Sequence, residues 1–509
     1  MACSNFTSTT LPHFSTAALI DIIKKLNETC PLDLVDGNGI KVDVANTLFQ
    51  GENSFFETLG PWSPYAAAII FSRLIDFKLP LLQLISQLPR PRYTHGWLGQ
   101  AFAIFHLIAD PVDSMSSYLF TLASCKAVLQ RTKEKMRRER GPEADERFER
   151  RCALIALVYV SYALSGHPKE LEHLIRYETG HHSAAFKAMG LALAADRGSN
   201  FWAVGVAIFG FFMAVILKYV YIDTDTFDVT KPQHIDIWSI SSSLCMVHII
   251  PNVLFASIIS VQQSHYTARR ILQEFEQRIN REDAEGGGAQ PRHHQIGKGD
   301  QWEQDEQINN GVIPNWRPNR QHALELDPVL TYPPWVLDVV SFLIVITPSA
   351  GAMWLASMVP PEGFNCRTVV KLIMMSLYVV KYAAQLLVNR LSARSTTTKM
   401  FITAAMDIMT TILFAFVIFS TQSGILNRPG CYRQCKDNGE CGIYPASVTW
   451  NTVQKGLHGL YSGILFGFLS MQLVFCALMI WVFWDARKVY LQDDKPLEDR
   501  EDELQPLGH

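Results

Sequence analysis

Two opposite charges lie inside apolar stretches of the chain. Lys381 falls in the run VVKYAAQLLV, and Asp407 falls in the run AAMDIMTTIL. Each lies roughly 10 Å from the connecting segment 389–399, at a helical rise of about 1.5 Å per residue. An unpaired charge at that depth in lipid costs about 2.5 to 3.5 kcal/mol, so we expect the two side chains to form an intramembrane ion pair. The alternative is that Lys381 extends alone to the interface while Asp407 is protonated or bonded to Thr410 or Thr411.

A second polar group interrupts the apolar stretch 244–260, LCMVHIIPNVLFASIIS. His248, Pro251 and Asn252 lie within five positions near the middle of this stretch. Pro251 has no N–H to donate to the carbonyl of Val247, so we expect a helix here to kink.

The next apolar stretch has a break of its own, the sequence TPSAG at residues 347–351. Two successive interrupted helices with polar groups at equal depth are typical of the central site of transporters. The alternative is that proline and glycine only bend membrane helices. On the first interpretation, the candidate substrate-binding residues are His248, Pro251, Asn252 and Ser349.

The elements that position these residues are long apolar segments. The chain has 509 residues, of which 48% are hydrophobic and 18% are charged, whereas soluble domains are about 25% charged. A span across a hydrocarbon core of roughly 30 Å needs about 20 mostly apolar residues. The sequence therefore predicts an all-α, polytopic helical bundle whose six strongest spans are 201–222, 235–261, 335–359, 369–388, 400–420 and 457–484.

Weaker segments precede these six. Residues 65–79 carry three charges, and residues 97–109 and 114–130 are short and separated by DPVD. The last two either cross twice or form a re-entrant hairpin. The segment 152–164 is too short to span, so we expect a helix packed on the inner face. Apolar residues at helical spacing between 271 and 279 predict a helical extension of the span that ends at 261.

Charge and sequence order give an orientation. The loop 389–399 has three basic residues and no acidic one, and the last span is followed by DARK, so both segments are predicted to be cytoplasmic. The N-terminus is then outside and the C-terminus inside, which requires an odd number of crossings. Nine transmembrane helices result if all weak segments span, and seven if the DPVD hairpin is re-entrant.

The domain organisation follows from this topology. An outer N-terminal segment and the weak membrane segments come first, followed by a cytoplasmic helical region. Two transmembrane helices, a partly disordered cytoplasmic loop, four transmembrane helices with a Cys-rich outer loop (421–456) and an acidic cytoplasmic tail follow. The boundaries are 1–62, 63–130, 131–200, 201–261, 262–334, 335–484 and 485–509.

Cysteines and sequons fall mainly on the predicted outer side. Disulfides persist outside the cytosol, and the candidates for them are Cys3, Cys30, Cys366, Cys431, Cys435 and Cys441. Six cysteines allow 15 connectivities. The sequons NFT at Asn5 and NET at Asn27 predict glycosylation of an outer N-terminus.

The last span carries a row of glycines, Gly459, Gly463 and Gly467, spaced four apart. Such a stripe predicts a face that another helix can approach closely.

Three features together resemble one family. They are DPVDS at 110–114, ALAADRGSNF at 192–201 and the cysteine-bearing late outer loop. The combination is similar to a family of uncharacterised multi-pass membrane proteins of filamentous fungi, over most of the chain. The resemblance implies no particular activity. It implies a fungal setting, and with it glycosylation of Asn5 and Asn27.

Missing motifs narrow the function. The chain has no GxxxxGK[ST] loop, HExxH or GxSxG motif, and a net charge of −3 gives no reason to expect a nucleic-acid partner. We expect no enzymatic activity, no cofactor and no metal site. The predicted function is transporter-like or channel-like for a small molecule, in the plasma membrane or an endomembrane. The alternatives are a receptor, or a non-catalytic scaffold or accessory protein of a fungal biosynthetic pathway that binds a cytoplasmic partner through 131–200 and 262–334.

Overall fold

The structure, a computed structural model, describes the helical segments of the chain and a few short strands. Described residues are 97–140, 146–164, 183–195, 197–198, 201–220, 244–259, 261–262, 333–358, 366–390, 396–422, 434–435, 441–442 and 462–486, with isolated positions in 82–86 and 270–281.

The described part is almost entirely helical. In chain order its helices are α1 (Trp97–Ala109), α2 (Pro111–Arg140), α3 (Glu146–Leu164), α4 (Ser183–Ala195), α5 (Phe201–Val220), α6 (Ile249–Ile259), α7 (Pro334–Met358), α8 (Cys366–Arg390), α9 (Thr396–Gln422) and α10 (Ser462–Val482). Four two-residue strands accompany them: β1 (Arg197–Gly198), β2 (Val261–Gln262), β3 (Gln434–Cys435) and β4 (Cys441–Gly442). β1 pairs antiparallel with β2, and β3 pairs antiparallel with β4.

Three of the described helices are long and apolar enough to cross a membrane. They are the parts of α7, α8 and α9 at Trp335–Ser357, Thr368–Val388 and Phe401–Thr421. Shorter apolar helices lie in α4, α5, α6 and α10. Several large apolar side chains on α5, α7, α8, α9 and α10 are exposed, among them Val380 of α8 and Phe416 of α9. Exposure of many large apolar side chains fits contact with lipid, which suggests a membrane protein.

Helix α2 lies at the centre of the bundle. From Pro111 to Leu129 every residue is buried except Lys126, which is half-buried. The helix packs against α1, α3, α6, α7 and α8. Lys126 donates from Nζ to the carbonyl of Val482 at 2.8 Å, so it satisfies the C-terminus of α10. The helix continues to Arg140, through the point at residue 130 where the sequence suggests a domain boundary.

The apolar segment 152–164 belongs to α3, which packs between α2 and α4. Its first seven residues, 152–158, are all buried. Outside the apolar part, Lys133 of α2 and Glu149 of α3 form an ion pair at 2.7 Å. The sequence correctly indicates a helix that packs against the bundle here.

The predicted continuous helical extension beyond residue 261 is wrong in one respect. α6 ends at Ile259, and the chain then forms strand β2, in which Val261 pairs with Gly198 of β1. The apolar residues further on are nevertheless buried, and Phe275 contacts Phe186 of α4 edge to face at 4.8 Å between ring centroids. The pairing of β2 with β1 returns the segment to α4, and this long-range contact is invisible to a local periodicity argument.

Candidate functional site

The structure brings Lys381 and Asp407 into contact. Lys381 Nζ of α8 lies 2.5 Å from Asp407 Oδ1 of α9. Both side chains are no more than 3% exposed. Thr411, an alternative partner for Asp407 by sequence, instead donates to the carbonyl of Phe105 at 3.3 Å.

His106 of α1 extends this pair into a row of charges. Its Nδ1 lies 2.9 Å from the second carboxylate oxygen of Asp407, within hydrogen-bond distance. Its Nε2 lies 3.3 Å from Oδ2 of Asp113, at ion-pair distance. The imidazole is therefore held between two carboxylates, both of them buried. We call the four residues Asp113, His106, Asp407 and Lys381 the charge cluster.

The DPVD sequence builds one end of the charge cluster. Asp110 is the single non-helical residue between α1 and α2, and its Oδ1 accepts the backbone N–H of Asp113 at 3.0 Å. It is thus an N-cap, followed by Pro111 at the first helical position, where a missing N–H has no cost. The cap places Asp113 in the first turn of α2, with its carboxylate facing His106.

The helix ends match the charges placed on them. His106 lies in the last turn of α1 and Asp113 in the first turn of α2. A helix C-terminus favours a positive charge and an N-terminus favours a negative one. The broken junction between α1 and α2 therefore stabilises an imidazolium facing a carboxylate.

The second candidate site surrounds the turns that precede α6. Residues 245–248 form turns, with i to i−3 bonds from Val247 N to Leu244 O and from Ile250 N to Val247 O. The carbonyl of Val247, which a proline at 251 cannot engage, is thus taken by Ile250. These turns precede the regular α6, which begins at Ile249, two residues before Pro251.

Polar side chains bond to two further carbonyls at these turns, of which that of His248 also accepts the backbone N–H of Asn252 at 3.3 Å. His248 Nδ1 lies 3.0 Å from the carbonyl of Cys245, and Ser349 of α7 donates to the same carbonyl at 3.4 Å. Asn252 donates from Nδ2 to the carbonyl of His248 at 2.9 Å. His248, Asn252 and Ser349 are all completely buried. Each therefore has a partner within the protein.

The TPSAG sequence does not break its helix, because α7 runs unbroken through Pro348. A proline at 348 leaves the carbonyl of Ile344 without its usual intrahelical donor. Gln472 of α10 supplies the replacement, donating from Nε2 to that carbonyl at 3.0 Å. One turn later, a Cβ on Gly351 would lie 2.4 Å from the ring of Phe468, so α7 and α10 are in close contact here.

The two sites are neighbours through Tyr378 of α8. Its hydroxyl lies 3.5 Å from Nε2 of His248, and the two rings meet edge to face at 5.1 Å. Its ring also packs against Phe414 of α9 at 4.7 Å. Tyr378 precedes Lys381 by three residues, so both lie on one face of α8. Movement of α8 would therefore reach both sites.

The glycine stripe of the last span is not a packing face among the described residues. Nothing lies within 4 Å of a Cβ placed on Gly463 or Gly467. Both glycines are exposed, and Gly459 lies outside the described residues. In the described part of α10, the close approach to α7 occurs at Phe468, whose ring occupies the space that a Cβ on Gly351 would need. The packing face of Gly459, Gly463 and Gly467 stays a prediction, because no described residue packs on the two of these glycines that the structure describes.

The structure describes the side chains of four cysteines, all of them buried and none of them in a disulfide: Cys125, Cys152, Cys245 and Cys476. Cys435 and Cys441 occupy directly paired positions on β3 and β4, and Cys366 begins α8. The other disulfide candidates and the two sequon asparagines lie outside the described residues: Cys3, Cys30, Cys431, Asn5 and Asn27.

Sequence reasoning missed His106 and Asp113. Both occur in segments that were assigned to the membrane only weakly, and the signal that could have found them is local. An Asp-Pro-x-Asp sequence encodes an N-cap, a first-turn proline and a first-turn carboxylate. A histidine four residues before that cap lies one helical turn away and can face the same site.

Comparison with known proteins gives no match. No protein-family model matches the chain, and neither a curated protein nor a solved structure matches it. The function must therefore be argued from the chemistry of the two sites, and the resemblance to fungal membrane proteins stays an expectation from sequence.

Proposed function

We propose that this protein is a membrane transporter or channel for a small molecule, and that the charge cluster is its functional centre. The observation that carries the proposal is one continuous row of four buried ionisable side chains, joining α1, α2, α8 and α9. Ionisable groups inside a membrane are rare and typically mark ion or substrate pathways.

Stability alone is a poor reason for the charge cluster. Removing charges from water costs several kcal/mol per ion, and apolar residues of similar volume are often as stable or more so. Leucine or methionine at Lys381 and Asp407 would pack the same helices without that cost. A row that extends this arrangement to His106 and Asp113 is therefore better explained by a role for the charges themselves.

The interrupted helix near Pro251 supplies the second part of the proposal. We keep His248, Pro251, Asn252 and Ser349 as candidate substrate-binding residues, since interrupted helices build such sites in transporters. His248 Nδ1, Asn252 Nδ2 and the Ser349 hydroxyl bond within the protein in this structure, whereas Asn252 Oδ1 is buried without a hydrogen-bond partner among the described residues. A substrate would therefore replace those bonds, and Tyr378 would transmit the change along α8 to the charge cluster.

We propose the topology that charge suggests, with nine spans, or seven if the first segments do not all cross, and with the N-terminus outside and the C-terminus inside. Exposed tryptophans support it, because tryptophan concentrates at membrane interfaces. Trp335 and Trp354 lie near opposite ends of α7, roughly 28 Å apart along the helix. Trp202 is the second residue of α5 and Trp481 the second-last residue of α10, at positions that this topology assigns to the inner face with Trp335.

The outer loop adds a testable detail of this topology. We propose that the outer cysteines form disulfides and that Cys435 and Cys441 bond to each other. The pairing of β3 with β4 supports this, because directly opposite residues of antiparallel strands have Cα atoms about 4.5 to 5.5 Å apart, within the range of a disulfide. Thiol alkylation in intact cells should label neither cysteine until a reductant is added. Ready labelling without reductant would contradict both the bond and the outer location.

The test of the function compares cells that contain the protein with cells that lack it. We expect untargeted metabolite profiles, inside the cells and in the medium, to differ in at least one small molecule. Charge-cluster variants that reach the membrane should behave like the deletion, and so should the double variant His248→Leu, Asn252→Leu. The control is Met409→Leu on the exposed face of α9. Identical profiles with and without the protein would contradict transport.

A further inference from the structure

We infer that the charge cluster binds an exchangeable proton, and that the ion passing through this centre is a proton carried on the imidazole of His106. This inference rests on the proposed function and specifies its ion. It follows from which groups surround His106 and from how their charges add.

The groups around His106 come from three helices. Asp407 of α9 faces Nδ1 at 2.9 Å, and Asp113 of α2 faces Nε2 at 3.3 Å. Lys381 of α8 lies on the far side of Asp407 at 2.5 Å. Asp110 is buried at the junction and accepts the backbone N–H of Asp113. The ring thus has a carboxylate at each nitrogen, and one of these carboxylates, that of Asp407, also contacts the Lys381 ammonium.

A neutral imidazole satisfies only one of these two carboxylates. It has one N–H donor and one bare nitrogen, and a bare nitrogen facing an ionised carboxylate brings two lone pairs together. With a second ring proton, Nδ1–H donates to Asp407 and the positively charged ring faces Asp113 at ion-pair distance. The geometry therefore provides a place for one proton beyond those of the neutral ring.

Charge balance gives the same result. With His106 protonated, the charge cluster contains two cations, Lys381 and His106, and two anions, Asp113 and Asp407, so its net charge is zero. Without that proton the net charge is negative, and an unbalanced buried charge is costly. The charge cluster therefore retains this proton until a change in its surroundings offsets the cost of losing it.

The neighbouring carboxylates also give the proton a way out. As one N–H bond of His106 breaks, an O–H bond forms on Asp407 or Asp113, and the total charge of the cluster is unchanged. Release follows when that carboxylic acid loses its proton to water, and uptake is the reverse. A histidine between two carboxylates is suited to this task because its unperturbed pKa of about 6.5 lies near physiological pH.

Proteoliposomes that contain the full-length protein test the inference. A potassium gradient and valinomycin set an inside-negative potential, and a pH-sensitive dye inside the vesicles reports proton entry. We expect wild-type protein to acidify the lumen faster than protein-free liposomes do. We expect the double variant His106→Gln, Asp113→Asn to acidify it only as fast as protein-free liposomes.

The double variant is chosen so that it folds. Glutamine at 106 and asparagine at 113 keep hydrogen-bonding groups at both positions, and Lys381 with Asp407 remains a neutral pair. The control is Ser341→Ala, because Ser341 is buried in α7 and bonds only to the carbonyl of Leu337 in its own helix among the contacts described. Monodisperse elution of each purified variant establishes folding.

Two results would overturn the inference. One is wild-type acidification no faster than that of empty vesicles, which needs no variant to interpret. The other is a folded double variant that acidifies like wild type. If either occurs while cells lacking the protein still show a changed metabolite profile, the inference about the proton is wrong, but the proposed transport function is not contradicted. An unchanged profile contradicts the proposed function itself.

Discussion

Helices α2 and α9 have opposite relations to their surroundings. The first nineteen residues of α2, 111–129, are buried almost without exception, yet they include three serines within four positions, Ser114, Ser116 and Ser117. The spanning part of α9, Phe401–Thr421, is strongly apolar, yet only 11% of its most apolar window is buried. The most apolar of the three candidate spans is thus on the outside of the bundle, and a serine-rich helix is at its centre.

The difference follows from what each helix contacts. A helix that faces lipid must be apolar, because lipid offers no partner for a polar group. A helix enclosed by other helices needs small side chains that let backbones approach, and its hydroxyls can bond internally. Thr121 and Ser124 of α2 do so, donating to the carbonyls of Ser117 and Phe120 at 2.8 and 2.9 Å. Hydropathy therefore reports contact with lipid rather than membership of the bundle.

The largest effect we predict is at the point where the two helices meet through charges. Lys381→Met and Asp407→Leu should each lower the free energy of unfolding by about 3 to 5 kcal/mol, because each leaves an uncompensated buried charge. The double variant should recover much of the loss, since His106 and Asp113 still balance each other. Unfolding by denaturant in detergent micelles measures these changes.

Met409→Leu is the control for this prediction, because its side chain lies two residues from Asp407 on the exposed face of α9. It should leave stability unchanged. Losses that simply add in the double variant would show that Lys381 and Asp407 do not act as a pair.

The sequence predicts the lipid-facing part of the fold well and the centre poorly. The limits of α7, α8 and α9 agree with the predicted spans 335–359, 369–388 and 400–420 to within a few residues. Helices α1 and α2 were assigned only weakly, because burial among helices removes the apolar signal. The count and direction of crossings depend on these same segments and stay predictions.

The charge cluster, too, was only partly predictable from the sequence. Lys381 and Asp407 stand out because each interrupts an apolar run, so depth alone suggests a pair. His106 and Asp113 come from the weakly apolar region, where a charge is not conspicuous. His106 contacts Asp407 across 301 positions of the chain, and Asp113 contacts His106. Only the packing of α1 on α9 brings them together.

The second prediction compares leucines on the two helices. Leu119 of α2 is completely buried, whereas Leu413 of α9 is half exposed. Leu119→Ala should cost about 2 to 5 kcal/mol, because it leaves a cavity among packed helices. Leu413→Ala should cost far less, because lipid chains fill the space. Equal losses in the same denaturant assay would contradict the central position of α2.

The third prediction applies the contrast to glycine. A Cβ on Gly351 would lie 2.4 to 2.6 Å from three ring atoms of Phe468, whereas one on Gly463 would meet nothing within 4 Å. Gly351→Ala should therefore cost about 1 to 3 kcal/mol through overpacking. Gly463→Ala should be neutral or slightly stabilising, since alanine is the better helix former. Thermal unfolding of the two purified variants checks this, and a larger loss of stability in Gly463→Ala than in Gly351→Ala would support the predicted glycine packing face.

The smallest predicted effect concerns the hydrogen bond that a central carbonyl receives from outside its helix. Gln472→Leu removes the donor to the carbonyl of Ile344, the one that Pro348 cannot engage. Such interhelical bonds are worth about 0.6 kcal/mol on average in membranes, so the loss should be of that order. In a Pro348→Ala background, the N–H of the new alanine can bond to Ile344 instead, so Gln472→Leu should then cost almost nothing. Thr121→Val, which removes a bond within one helix, is the control and should give the same change in stability in both backgrounds. A Gln472→Leu loss that persists undiminished after Pro348→Ala would show that the glutamine acts by filling space, and not by replacing the proline's missing donor.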